Sequence, residues 1–353
     1  MNRDTKIYLK KKFKEHYWNN KVPAPEDVGG REFGFGTLEK KIAVRHISFK
    51  NEEEMRNYLK REAPYYISYS TAYYEFPDKQ PMEAKNWLGA DLVFDIDIPM
   101  EFLNREALDK AKGEAFKLVD FMVSDFGFPK KDMAINFSGS KGYHIHISTP
   151  AVLKLGGQER RGIVDYVSAE GLAFDDLNVN SSWVKRIKGE LTAFIGDSDA
   201  SDFMEIDGIG EKTAGRLYEK KADLLAQIDR GRFEGFSGVR ENVLNRILDK
   251  LKVPFAGETD KMVTIDVHRL IRLPESIHGS SGLRAAKVKD LDKFDPLVDA
   301  LAFGDEKVKI EATKKVPRFE LGGEKIGPIG GEASVPEFAA VYLMLKDAAE
   351  IKN

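Results

Sequence analysis

The stretch Asp91-Leu-Val-Phe-Asp95-Ile-Asp97-Ile98 is an apolar run interrupted by two carboxylates two residues apart. It reads as a buried strand, and side chains on a strand alternate between its faces. Asp95 and Asp97 therefore point the same way, while Phe94, Ile96 and Ile98 point into a core. Carboxylates that close repel each other, and a divalent cation between them lets both stay ionised. An isolated Asp-x-Asp is more often a turn or salt-bridge feature; here the apolar opposite face and the motifs that follow favour metal ligation.

Two such motifs lie downstream. In Ile135-Asn-Phe-Ser138-Gly139-Ser140-Lys141-Gly142-Tyr143-His144-Ile145-His146-Ile147 a glycine-bearing loop separates two apolar, strand-like pieces. Backbone amides, the Ser138 hydroxyl and the Lys141 ammonium of such a loop can approach a phosphate closely, with His144 placed to help. His146 is expected to support the site or fill the core. The second motif, Met262-Val-Thr-Ile-Asp266-Val-His268-Arg269-Leu-Ile-Arg272-Leu-Pro274-Glu-Ser276-Ile-His278-Gly279, reads as another apolar strand carrying one acid. Asp266 could complete a three-carboxylate, two-metal site, with Arg272 and His278 facing a polyphosphate and His268 in a structural role.

Taken in order, Asp95-Ile-Asp97, Ser138-Gly139-x-Lys141-Gly142-Tyr143-His144 and Asp266-x-x-Arg269-Leu-Ile-Arg272-Leu-Pro-x-Ser-x-His278 resemble the three motifs of the catalytic small subunit of archaeal and eukaryotic DNA primase. Supporting matches lie in Arg31-Glu32-Phe33-Gly34-Phe35, Val44-Arg45-His46, Pro64-Tyr65-Tyr66 and Trp87-Leu88-Gly89. The resemblance covers 1–155 and 255–290 well and the rest loosely. It implies an α/β fold with the mixed sheet of the archaeo-eukaryotic primase superfamily, its acids on neighbouring strands, plus an inserted helical subdomain. It further implies synthesis of short RNA primers, with DNA primers also open, on a single-stranded DNA template by two-metal nucleotidyl transfer. Asp95, Asp97 and Asp266 would hold two Mg²⁺ or Mn²⁺ ions. Ser138, Lys141, Arg272 and His278 would bind the β- and γ-phosphates, His144 would stabilise the departing pyrophosphate, and Arg45 would lie near the bound nucleotide. The implied partners are a primase large subunit in a heterodimer, the template and nucleoside triphosphates.

Two departures from the family pattern stand out. Members commonly carry a cysteine-rich zinc knuckle soon after the first acid pair; this chain has no cysteine, so no zinc is expected, and 105–122 reads as an amphipathic helix. After His278 comes Gly279-Ser280-Ser281-Gly282, where many members place a lysine, leaving Lys287 or Arg284 at hand to replace it. Two other functions fit parts of the sequence. One is a repair or gap-filling polymerase of the same superfamily. The other is a non-catalytic DNA-binding protein using Glu205-Ile-Asp-Gly208-Ile-Gly210-Glu-Lys-Thr-Ala214 as a helix-hairpin-helix, although such a short Gly-x-Gly is more often a plain turn between packed helices.

Composition is that of a soluble globular protein: 353 residues, 42% hydrophobic and 32% charged. The length is about twice that of a usual domain. The organisation expected is a catalytic core in two parts, 1–154 and 256–331, separated by a helical insertion at 155–255, with a C-terminal helix in 332–353 packing on the core. No apolar run approaches the roughly 20 residues needed to span a bilayer, and no signal peptide is evident, so no membrane association and a cytoplasmic location are expected. A net charge of −3 argues against tight nonspecific coating by nucleic acid; the excess of Lys and Arg in the first sixty residues allows a weak, local grip on a template. Short strands are expected at 31–35, 41–49, 65–75 and 133–137, and helices at 5–18, 51–62 and 104–126. The last helix, through Phe338, Val341, Tyr342 and Leu345, should bury one stripe. The tyrosines at 65, 66, 69, 73 and 74 read as half-buried sheet residues before base-stacking platforms.

Overall fold

A computed structural model describes residues 1–172, 182–230, 241–252 and 257–352. The chain forms two compact units. One comprises Met1–Phe116, Pro129–Arg161 and Thr259–Asn353, the other Lys117–Phe128 and Gly162–Glu258. No helix among the described residues is long and apolar enough to cross a membrane.

In the first unit, helix α1 (Arg3–Asn19) starts where the Asn2 side chain accepts the Thr5 amide at 2.8 Å, and it buries Leu9, Phe13 and Tyr17. Strands β1 (Phe33–Gly36) and β2 (Val44–Ile47) follow, then helix α2 (Glu52–Glu62). Asn51 caps α2 by accepting the Glu54 amide, and three glutamates fill the first turn, where the helix dipole favours them. Strands β3 (Tyr66–Ser70) and β4 (Ala72–Tyr74) come next; Thr71 separates the two halves of the expected 65–75 strand, and β4 pairs instead with β5 (Trp87–Ala90). Four of the five clustered tyrosines are buried and Tyr73 is half-buried, as sheet residues.

Two four-stranded sheets frame the rest. With β6 (Leu92–Asp97), helix α3 (Arg105–Ser124), β7 (Met133–Phe137), β8 (Gly142–Ile147), β9 (Leu270–Arg272) and β10 (Lys287–Val288), their orders are β2-β1-β3-β9 and β10-β7-β8-β6. The α/β class holds. The strand pairing is antiparallel throughout the described residues rather than mixed. The reason is local: the tight β7–β8 hairpin returns β8 into the place between β6 and β7, so the two strands joined through α3 are never neighbours. Phe94 and Ile96 are buried on one face of β6, and Asp95 and Asp97 occupy the other.

Two further expectations need correction. The segment carrying the third acid is not a strand: Lys261–Ile265 is a short helix, started by the Asp260 carboxylate accepting the Met262 amide at 2.9 Å, and Asp266 is its C-cap. The acids are therefore not all on neighbouring strands. The final helix, Glu337–Leu345, is buried from Glu337 to Met344 on every face rather than along one stripe, because nearly all of its residues are apolar. Around it the tail contributes a sheet of Lys307–Ala312, Glu332–Pro336 and Ala349–Ile351.

The second unit is helical among its described residues, with Ser182–Asp197, Ala200–Met204, Glu211–Glu219, Lys221–Asp229 and Glu241–Lys252. Trp183, Ile187, Leu191, Phe203, Leu217 and Ile228 supply its core. Parts of the helical expectation, at 173–181, 231–240 and 253–256, lie outside the described residues. At the Gly-x-Gly element Gly208 takes a left-handed φ of 75°, Ile206 and Ile209 are buried, and Arg246 donates to the Asp207 carbonyl. The element is a packed turn between two helices.

Candidate active site

The register between β6 and β8 sets Asp95 opposite His144 and Asp97 opposite Gly142. Gly142 is required there: a Cβ on it would lie 1.6 Å from the Ile96 carbonyl oxygen. The Ser138–Gly142 loop is then fastened to the third motif, since Gly139, at φ 84°, packs against His278 and its carbonyl accepts the Ser281 hydroxyl. On the other sheet, Arg272 stands opposite Ser68 across the β3–β9 pair, and Arg45 lies on the edge strand β2.

These elements enclose a cavity of about 600 Å³ in the first unit. Asp95, Asp97, Asp266, Ser138, Lys141, His144, Arg272, His278 and Arg45 all line it. Six lysines and arginines share the wall with three aspartates. That surplus of positive charge suits an anionic occupant.

His144 Nε2 lies 3.3 Å from Asp95 Oδ1 without hydrogen-bond alignment, so this buried oxygen has no donor. Burial works against the Asp95 charge, yet His144, Arg269 and Lys41 outweigh it and hold the carboxyl below its ordinary value. Asp97 goes the other way. Although water reaches it in the cavity, the enclosure first, and then the Asp95 charge, push it up to about 6. Asp266 accepts the His268 amide at 2.9 Å. Among the described residues no three Asp, Glu or His side chains stand close enough to close a cage around one ion.

Arg272 is the least satisfied group. Its Nε and Nη1 are buried with no acceptor, its guanidinium lies 5.0 Å over the Tyr66 ring, and burial pushes its pKa down to about 10. His278 is held well below its ordinary pKa by burial, then by Arg272 and Lys41. Its Nδ1 accepts the Ser280 amide at 3.2 Å, which leaves the proton of the neutral ring on Nε2 as a donor. Arg45 is aimed by a two-point bond to Glu32, at 2.8 and 3.3 Å. Ser138 departs from expectation: its Oγ accepts the amides of Lys141 and Gly142 at 3.2 Å and of Ser140 at 3.4 Å. Those amides are turned inward to Ser138, leaving its hydroxyl proton and the Lys141 ammonium for a ligand.

His268, which also lines the cavity, has its Nδ1 2.9 Å from the Tyr74 hydroxyl. His146 is buried and pushed down to about 3, mainly by burial and then by His144. Neither Arg284 nor Lys287 supplies the missing lysine, because Arg284 pairs with Glu275 at 2.9 Å and Lys287 lines a separate cavity. The cations not anticipated at this wall are Lys41 and Lys346. Lone lysines outside any motif, brought in only by tertiary folding, leave no local signal.

The DNA primase small subunit family matches residues 94–290. Over 98% of both chains the sequence is 38% identical to the DNA primase small subunit PriS of Archaeoglobus fulgidus, and over 99% of both it is 35% identical to that of Methanococcoides burtonii. The protein of the same name from Halobacterium salinarum is 33% identical, again over 99% of both. The family and these relatives imply a nucleotidyltransferase-type enzyme, and its fold is of the α/β class. The chain belongs to the DNA primase small subunit family, and takes the catalytic-subunit role in it.

Proposed function

We propose that the chain makes short primers on single-stranded DNA. The 3′-hydroxyl of a ribonucleotide attacks the α-phosphate of an incoming nucleoside triphosphate, a new O3′–P bond forms, the bond to the β-phosphate bridging oxygen breaks, and pyrophosphate leaves with the hydroxyl proton lost to solvent. The observation that carries this is the pairing of two opposites in one cavity: the Asp95–Asp97 pair, and an Arg272 guanidinium with two buried donors unused. A triphosphate is an anion that answers the second, and a divalent cation answers the first.

The donor set suits Mg²⁺ or Mn²⁺. Asp95 Oδ1 is orphaned and Asp97 resists ionisation, and both conditions are relieved by a cation beside them. Mg²⁺ commonly takes one or two carboxylates and fills its shell with water and substrate phosphates, so an open pair with Asp266 at the same wall is adequate. The chemistry such ions supply is Lewis acidity at the attacking hydroxyl and charge neutralisation at the triphosphate. The chain's own residues do the rest. Arg272, the His278 Nε2 proton, the Ser138 hydroxyl and Lys141 grip the outer phosphates. His144 offsets charge on the departing pyrophosphate, and Arg45 orients the nucleotide.

The relatives are named small subunits, which supports a heterodimer with a large subunit. The test is primer synthesis on an unprimed single-stranded oligonucleotide with nucleoside triphosphates, with and without that subunit. De novo primers are expected. Extension only of pre-existing ends at gaps would assign the chain to repair synthesis instead.

A further inference from the structure

Lys346 belongs to none of the three motifs, yet it lines the same cavity as Asp95, Lys141, Arg272 and His278. It follows directly on the buried helix Glu337–Leu345, its amide closing the last turn on the Met344 and Tyr342 carbonyls. The side chain is half-buried, with its ammonium 5.7 Å from the Tyr342 ring centre. Among the described residues no carboxylate pairs with it. Glu101 attracts it, but Glu101 is engaged by Lys314 at 3.5 Å. Burial first, and then repulsion from Lys141 and Lys314, lower its pKa. An enclosed cation beside like charges and without a counter-ion is unfavourable until an anion arrives.

Two further features place that anion. Arg272 has buried donors with no acceptor in the same cavity, and Ser280, on the same wall, brings no charge of its own. Lys346 and Lys141 line that same wall, so two ammonium groups border one cavity. Ammonium groups on flexible stems gather a phosphate as point charges, beside an arginine that fixes its orientation.

We propose that Lys346 binds the terminal phosphate of the incoming nucleoside triphosphate, which makes the C-terminal segment a part of the nucleotide site. This rests on the cavity being the nucleotide site. The competing role is purely structural, since a lysine just past a helix is favoured by the helix dipole. That role affects melting and treats all nucleotides alike.

Equilibrium titration with ATP and with AMP separates the two, using Ca²⁺ in place of Mg²⁺ to prevent turnover, on the full chain, Lys346→Met, Lys346→Arg and Arg272→Ala. Lys346→Met should weaken ATP about tenfold, the cost of one charge-assisted contact, with AMP changed by less than about twofold and Tm unaltered. Lys346→Arg should keep most of the ATP affinity. Unchanged ATP binding in Lys346→Met, with loss in Arg272→Ala, would overturn the assignment of Lys346 and leave the phosphate site standing. No loss in either variant would remove the nucleotide site itself. A lowered Tm in Lys346→Met, restored in Lys346→Arg, with equal loss for both nucleotides in Lys346→Met, would give Lys346 a helix-dipole role and nothing more.

Discussion

Arg272 and His146 share burial, and their expected roles separate on what surrounds them. Arg272 keeps its charge with two donors unused, so its energy is unspent until a ligand comes. A charge-assisted contact to the ground-state triphosphate is worth roughly 1.5 to 3 kcal/mol, or about ten- to a hundredfold in binding. Arg272→Ala should therefore raise the KM for the incoming nucleotide by that factor, with a smaller fall in kcat, and weaken triphosphate more than monophosphate. Steady-state kinetics at saturating template measure it; equal losses for both nucleotides would move Arg272 to a structural role. His146 is neutral when folded, pushed to about 3, whereas in the unfolded chain it titrates near 6.5. Between those values the unfolded state binds more protons, so this residue lowers stability as pH falls from 6.5 toward 3, with a limiting slope of about 1.4 kcal/mol per pH unit. Above 6.5 it contributes no slope. Tm measured across that window should fall less steeply in His146→Phe, and an identical pH profile would show that His146 is not buried neutral.

At the level of elements, the hairpin β7–β8 against β6 is the device that assembles the chemistry. Gly142 has no room for a methyl group under Ile96, so Gly142→Ala must push the hairpin off β6, at a cost of about 3 kcal/mol, and move His144 from Asp95. The expected result is lower stability in denaturant together with loss of incorporation; full activity at native stability would show that the strands are not packed this way. These elements were legible in the sequence because their signals are local. Alternating burial in β6, the glycine loop, the Asn51 cap and the strand 133–137 depend on near neighbours. What was not legible depends on distance along the chain. Met262–Ile265 is the exception: it is β-branched enough to read as a strand, and the cap that makes it a helical turn, Asp260, is a near neighbour. The inward turning of the loop amides onto Ser138 needed three-dimensional placement. Lys346 reaches the cavity only because the final helix is buried in the core.

On the scale of the whole molecule, motifs spread from Asp95 to His278 meet in one unit, and the segments between them fold largely into a second, helical unit. With no cysteine in the chain, no thiolate zinc site exists to hold either unit together. Elemental analysis should find no zinc that survives dialysis against a chelator, and chelation should stop catalysis without a fall in Tm. One zinc retained per chain would contradict that expectation. The most direct measurement is template-directed incorporation on single-stranded DNA with Mg²⁺ or Mn²⁺, comparing the full chain with Asp95→Ala, Asp97→Ala and Asp266→Ala. Incorporation should be abolished in each variant while circular dichroism is unchanged, with Asp97→Ala as stable as the parent or slightly more so because a carboxylate crowding Asp95 is gone. Near-normal synthesis by any of the three, in a folded protein, would contradict a metal-dependent nucleotidyl-transfer site in this cavity.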